Sequence, residues 1–137
     1  EFRRVLFRSH KIKVSNTETL NESLLVTGFG YDHGNKWEAN MELFKHFTDK
    51  SQGVRRLGAA AIDLCHVACG FVDGFWEFDL KPWDMAAGIL MVSEAGGKVS
   101  QLNGINIDIY QDHILATNGN IHEIMLKHTK PVLELLL

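Results

Sequence analysis

The sequence predicts an α/β protein, because short apolar runs typical of strands alternate with longer segments that have helical periodicity. The run LLVTGFGY is apolar and closed by glycines, so it reads as a strand that leads into a loop. In the segment 35–50 that follows, apolar residues recur at steps of four, three and three, on one face of a helix. These residues are Trp37, Met41, Phe44 and Phe47.

The later segments continue this alternation. The segment AAAIDLCHVACG reads as a helix that ends at Gly70, VDGFWEFDL as an aromatic strand, and PWDMAAGILMVSEAGG as a helix that begins near Pro82. The segments KVSQLNG and HILATNG read as strands, and IHEIMLKHTK as a closing helix that Pro131 is expected to end. The segment VRRLG stays ambiguous between a strand and a strand-to-helix turn. A layered α/β core around a buried sheet is therefore expected.

The composition argues against several classes of function. The net charge of −3 disfavours binding to a nucleic-acid backbone, and no apolar run reaches the roughly 18 residues that a membrane span needs. Two cysteines, Cys65 and Cys69, are too few for a disulfide framework, and we expect packed side chains rather than zinc ligands. We therefore expect a soluble, cytoplasmic protein with reduced cysteines and with neither a nucleic-acid nor a membrane partner.

The first nine residues, EFRRVLFRS, differ in character from the rest of the chain. They resemble, letter for letter, one translated reading frame of a common sequencing-library adapter. We interpret residues 1–9 as a foreign segment and residues 10–137 as the genuine sequence, with a native basic strand as the alternative.

Asp84 places a carboxylate in the first turn of an otherwise apolar helix. The residues after it are apolar on nearly every side, so this helix is expected to be buried. Unpaired N–H groups and the helix dipole favour an ionised carboxylate at this end. Two roles stay open for Asp84: a plain helix cap, or an oxygen ligand for a hard cation such as Mg²⁺.

Glu77 lies in the aromatic stretch FWEF, on the opposite face of the strand from Trp76 and Phe78. It is either an outward-facing polar residue or a hydrogen-bond acceptor for a polyol near the Asp84 cation.

For Arg55 and Arg56, a solvated or salt-bridged surface pair is the better interpretation, with phosphate or subunit contact as the alternative.

The segment from Gly58 to Val99 resembles the inositol monophosphatase family. The residues that carry the resemblance are WDMAAG at 83–88, EAGG at 94–97, GAAAIDLC at 58–65 and FWEF at 75–78. The flanks LLVTGFGYD and ILATNGNIHE extend it over almost all of the chain after residue 9.

The resemblance implies a Mg²⁺-dependent phosphomonoesterase, such as an inositol-phosphate phosphatase, with a layered αβαβα fold, of which this chain would be the C-terminal half. It implies that Asp84 is a catalytic metal ligand that also lies beside the substrate ring, and that Glu77 binds a substrate hydroxyl. It also implies that Gly58, Ala59 and Ala60 line the sugar pocket, and that the intact parent is a homodimer acting on a small phosphomonoester.

The chain departs from the family pattern in one respect. The upstream glutamate pair and the DPxDGT-type segment, which supply most metal ligands in the family, do not occur in this sequence. We therefore expect this chain alone to be inactive, and expect a half-domain that exposes an apolar sheet face or edge and tends to aggregate. Two other interpretations stay open. One is a related phosphatase for fructose bisphosphate, 3'-phosphoadenosine phosphate or histidinol phosphate, and the other is a non-catalytic interaction module.

Overall fold

A five-stranded mixed sheet of order β4-β3-β5-β7-β6 forms the centre of the molecule. The computed structural model describes residues 6–7 and 10–136, so most of the segment 1–9 lies outside the described residues and its foreign origin stays a prediction. The strands are β1 (Leu6–Phe7), β2 (His10–Lys11), β3 (Leu24–Thr27), β4 (Gly53–Arg55), β5 (Gly74–Glu77), β6 (Lys98–Ser100) and β7 (Ile114–Thr117). The helices are α1 (Asn35–Lys50), α2 (Ala60–Ala68), α3 (Pro82–Glu94) and α4 (His122–Leu136). Strands β1 and β2 pair with each other outside the main sheet.

Helices cover both faces of this sheet, so the predicted α/β class is confirmed. Alternate residues of each strand point to opposite faces and build two separate apolar clusters. On one face, Val26 and Phe75 pack with residues of α2 and α3. On the other face, Leu25 and Trp76 pack with residues of α1 and α4. The result is a three-layer αβα arrangement in which β3, β4 and β5 run parallel and β6 and β7 pair antiparallel.

Helix α4 continues through Pro131, so the predicted helix end at this residue is wrong. Proline removes one backbone hydrogen bond and disfavours a helix interior by about 3 kcal/mol. Met125, Thr129 and Leu133 are buried on one face of α4, on both sides of the proline. The Thr129 hydroxyl also donates to the Leu102 carbonyl at 2.8 Å. Tertiary packing of this face therefore outweighs the local cost.

Helix α3 is buried on one side only, which corrects the prediction of an all-round buried helix. Met85, Gly88 and Val92 face α2 and the sheet. Gly88 permits a close approach, because a Cβ there would lie 2.5 Å from Leu64. Trp83 and Leu90, seven residues apart, are 77% and 62% exposed.

Helices cover both faces of the sheet in the described part of the chain, β4 and β6 are its two edge strands, and α2 and α3 carry exposed apolar side chains. Ile62 of α2 is exposed in the same way as Trp83 and Leu90 of α3. We call these three residues the outer face of the α2–α3 layer. No helix in the described ranges has both the length and the apolar character needed to cross a membrane.

Candidate active site

The loops that follow β3, β4 and β5 meet at one edge of the sheet and enclose a pocket of about 240 Å³. Because these three strands are parallel, their carboxyl ends lie at the same edge, which is where open α/β sheets bind ligands. The structure brings all five residues predicted for the site to this pocket. They are Gly58, Ala59, Ala60, Glu77 and Asp84.

Glu77 forms the buried floor of the pocket, so its interpretation as an outward-facing residue is wrong. It ends β5, which lies between β3 and β7, and its exposed fraction is 9%. Burial and, to a smaller extent, the negative charge of Asp63 raise the pKa of Glu77 from 4.5 to about 8, although the positive charge of Arg56 lowers it. Gly28 leaves room for the carboxyl group, because a Cβ at this position would lie 2.2 Å from Glu77 Oε1.

Asp63 is a second buried carboxyl group close to this floor, and the sequence interpretation missed it. Its side chain is fully buried in α2, and neither carboxyl oxygen has a hydrogen-bond partner among the described residues. Burial raises the pKa of Asp63 to about 6, although His66 and Arg56 both lower it. The sequence signal was one acidic residue within the small apolar residues of GAAAIDLC.

Asp84 combines a capping role with a place in the pocket. It is the third residue of α3, and its Oδ2 accepts a hydrogen bond from the Lys81 backbone N–H at 2.9 Å. The cap position itself is held by Lys81, so Asp84 caps from inside the first turn. Its Oδ1 accepts no hydrogen bond from the described residues, which suits a cation ligand.

The residues present fit a divalent cation only in part. Mg²⁺ takes one or two protein carboxylates together with water and substrate phosphate, and Asp84 supplies one such group. No cluster of three or more His, Cys, Asp or Glu side chains in the described residues has the arrangement of a metal site. A cation held here therefore needs ligands beyond those that this part of the chain provides.

The start of α2 forms an open wall of the pocket. Ala59 caps the helix without a side-chain hydrogen bond, and Gly58 before it has a φ of +96°, a conformation that favours glycine. The first N–H groups of a helix have no partner within the helix. Because the side chains here are small, a ligand oxygen can approach these donors closely.

Arg56 and Asp79 complete the charged lining. The side chain of Arg56 is exposed, as predicted, and it also lines the pocket, whereas Arg55 folds back on its own strand and donates to the Val54 carbonyl at 3.3 Å. Asp79 has a φ of +61° and pairs with Lys36 at 3.2 Å, and Lys36 also pairs with Asp112.

A larger cavity of about 540 Å³ lies beside the pocket and shares Asp79 with it. It contains none of the five predicted site residues, so we place the site in the smaller pocket.

The cysteines also lie apart from the site. Both are free and half-buried, and the Cys65 thiol contacts Met91 Sδ at 3.6 Å.

The chain is thus an αβα sandwich with a carboxylate-lined pocket at the carboxyl ends of its parallel strands, the place where α/β sheets of this class bind small molecules. The sequence model of the inositol monophosphatase family matches residues 3–134, and the chain belongs to this family.

The relatives show how much of a family member this chain represents. The chain is 51% identical over 129 residues to the phosphatase IMPL1, chloroplastic, of Arabidopsis thaliana, with 94% of this chain and 35% of that protein covered. It is 49% identical over 132 residues to the inositol-1-monophosphatase of Synechocystis, with 89% of this chain and 46% of that protein covered. The solved inositol monophosphatase of Anabaena (Nostoc) has a TM-score of 0.84 and 48% identity, with 88% of this chain and 48% of that chain covered. The chain therefore spans between about a third and a half of the length of these relatives.

Proposed function

We propose that this chain is the C-terminal, substrate-binding part of a Mg²⁺-dependent phosphomonoesterase that hydrolyses inositol monophosphate to inositol and phosphate. The observation that supports this most is the convergence of Glu77, Asp84 and the small residues Gly58–Ala60 on one pocket. These residues come from three separate places in the fold, which are the end of β5, the first turn of α3 and the start of α2. Their convergence gives a space of about 240 Å³ that is lined by hydrogen-bonding groups.

The side chains suit a polyol. At neutral pH, a Glu77 carboxyl group with a pKa of about 8 is protonated, so it donates one hydrogen bond and accepts another. A sugar hydroxyl has the same dual character. The first N–H groups of α2 offer donors to a second hydroxyl in the same pocket. Burial of Glu77 removes competing water and strengthens these contacts.

Asp84 would hold the cation together with ligands from a longer chain. A bound Mg²⁺ supplies a charge that stabilises the phosphate and activates a water molecule. The chain's own contribution is to place Asp84 at a helix N-terminus and to fix its carboxylate through the Lys81 N–H. Because Asp84 is the one family-type ligand that this chain provides, we propose that the chain alone has no phosphatase activity.

The test compares this chain with the full-length natural protein that contains it. We expect Mg²⁺-dependent release of phosphate from inositol 1-phosphate by the full-length protein and none by this chain. Asp84→Asn in the full-length protein should reduce kcat by at least about 100-fold, since the ligand loses its charge. The matched control is Asp49→Asn, which removes an exposed carboxylate at the end of α1.

Three results would contradict this function. Undiminished turnover by Asp84→Asn at every Mg²⁺ concentration would exclude the metal role of Asp84. A panel that includes fructose bisphosphate, 3'-phosphoadenosine phosphate and histidinol phosphate tests the substrate, and clear preference for one of these would exclude inositol monophosphate. Absence of phosphatase activity in the full-length protein would favour a non-catalytic interaction module.

A further inference from the structure

We propose that Arg56 is a substrate-binding residue that selects polyol phosphates, by donating hydrogen bonds to ring hydroxyls that lie away from the scissile phosphate. This inference rests on the proposed function and names a recognition residue for the same pocket. It starts from the charge of the lining. Among the described lining residues, Glu77, Asp79 and Asp84 are acidic and Arg56 is the one positively charged residue.

The position of Arg56 is defined by the segment between β4 and α2. Arg56 follows directly after β4 and comes two residues before Gly58. A Cβ at Gly58 would lie 3.3 Å from Arg56 Nη1, so the guanidinium group lies against the glycine at the pocket wall. The absence of a side chain at Gly58 therefore gives the guanidinium room beside the start of α2.

The electrostatics agree with this placement. The positive charge of Arg56 lowers the pKa of Glu77 and of Asp63, which shows that it lies within electrostatic reach of the pocket floor. No ion pair joins Arg56 to a carboxylate in the described residues. Its donors are therefore available to a ligand.

The chemistry of the guanidinium favours hydroxyl oxygens over a second anion. Arginine presents five donors in a rigid planar fork, which suits two neighbouring acceptor oxygens. The carboxylates of Asp79 and Asp84 line the same pocket and would repel a further negative group. Neighbouring hydroxyls on a ring offer acceptor oxygens without that repulsion. Arg56 and Glu77 would then form hydrogen bonds with different hydroxyls of the same ring.

The experiment uses the full-length natural protein and two substrates. Inositol 1-phosphate carries ring hydroxyls, and p-nitrophenyl phosphate carries a scissile phosphate with none. We expect Arg56→Gln to raise KM for inositol 1-phosphate about tenfold with kcat nearly unchanged, because a hydrogen bond from a charged donor is lost. KM for p-nitrophenyl phosphate should stay within about twofold of the wild type on the same reasoning.

Two variants separate recognition from other roles. Arg55→Gln is the matched control, because its guanidinium lies against Gly53 and Val54 on β4 and not in the pocket. It should leave both KM values unchanged. Arg56→Lys keeps the charge but not the fork, and should restore only part of the affinity for inositol 1-phosphate.

Several results would overturn the inference. Equal losses on both substrates, or full rescue by Arg56→Lys, would show a general charge effect. A lower melting temperature with loss of both activities would show a structural role, and unchanged kinetics would show no role. If the wild type hydrolyses no inositol phosphate, the proposed function fails by itself. Calorimetry with myo-inositol then decides the role of Arg56, because equal binding by wild type and Arg56→Gln, or none by either, would overturn it.

Discussion

Replacing Asp63 by asparagine is expected to stabilise this chain at neutral pH. Asp63 is fully buried without a hydrogen-bond partner among the described residues, and burial raises its pKa from 3.8 to about 6. A carboxyl group with a raised pKa in the folded state binds its proton more tightly when folded. Its contribution to stability is therefore greatest below pH 4 and is lost as the pH rises through 6.

The size of this change in unfolding free energy follows from the shift in the pKa of Asp63. A change of about two pKa units corresponds to about 3 kcal/mol of unfolding free energy. Asparagine carries no charge, so the Asp63→Asn chain should have nearly the same stability as the wild type at pH 4. At pH 7 it should be more stable by up to about 3 kcal/mol. We keep the comparison at or below pH 7, because Glu77 titrates near pH 8.

The assay is urea unfolding at several pH values and low protein concentration, followed by tryptophan fluorescence, since Trp76 is fully buried. Asp49→Asn is the control, because it removes a charge from an exposed position and should show a small effect that does not grow with pH. A stability difference that is constant across pH would refute the reasoning. So would an Asp63→Asn chain that is less stable at pH 7, because the carboxylate would then have a partner in solution.

Two further predictions follow from the packing. Gly28→Ala should reduce inositol 1-phosphate hydrolysis by the full-length protein at least tenfold, because its Cβ would lie 2.2 Å from Glu77 Oε1. Gly34→Ala is the control and should retain activity, because its Cβ would lie 4.0 Å from Asp32 Oδ2. Equal activity of the two variants would show that the Glu77 side chain moves to accommodate the added methyl group. Trp83→Ser with Leu90→Lys should reduce self-association of this chain in sedimentation velocity, because these side chains are 77% and 62% exposed. Unchanged association would locate the contact elsewhere.

The elements themselves were largely predictable, because their signals are local. The helix at 35–50 was predicted with its actual bounds from the spacing of apolar residues. The ambiguous segment VRRLG, residues 54–58, contains the end of a short edge strand, Gly53–Arg55, and the loop that follows it. A strand of three residues is too short for its pattern of apolar and polar residues to distinguish a strand from a turn.

The failures concern burial, which depends on distant residues. Pro131 is a strong local stop signal, but packing on both sides of it continues the helix. The outer side of α3 is as apolar as the inner side, so composition could not show that Trp83 and Leu90 lie in solvent. Arg56 is exposed, as its sequence context predicts, but only the course of the chain after β4 places this exposed side chain at the pocket.

The sequence by itself determined the α/β class, the family resemblance and the five predicted pocket residues, because periodicity and motif letters are properties of the chain. Only the tertiary structure decided the environments of these residues. Glu77 is buried because β5 lies between two other strands, and Asp63 lies close to it because α2 packs on the same sheet. Desolvation depends on what surrounds a group in space, and neighbours in space are not neighbours in sequence.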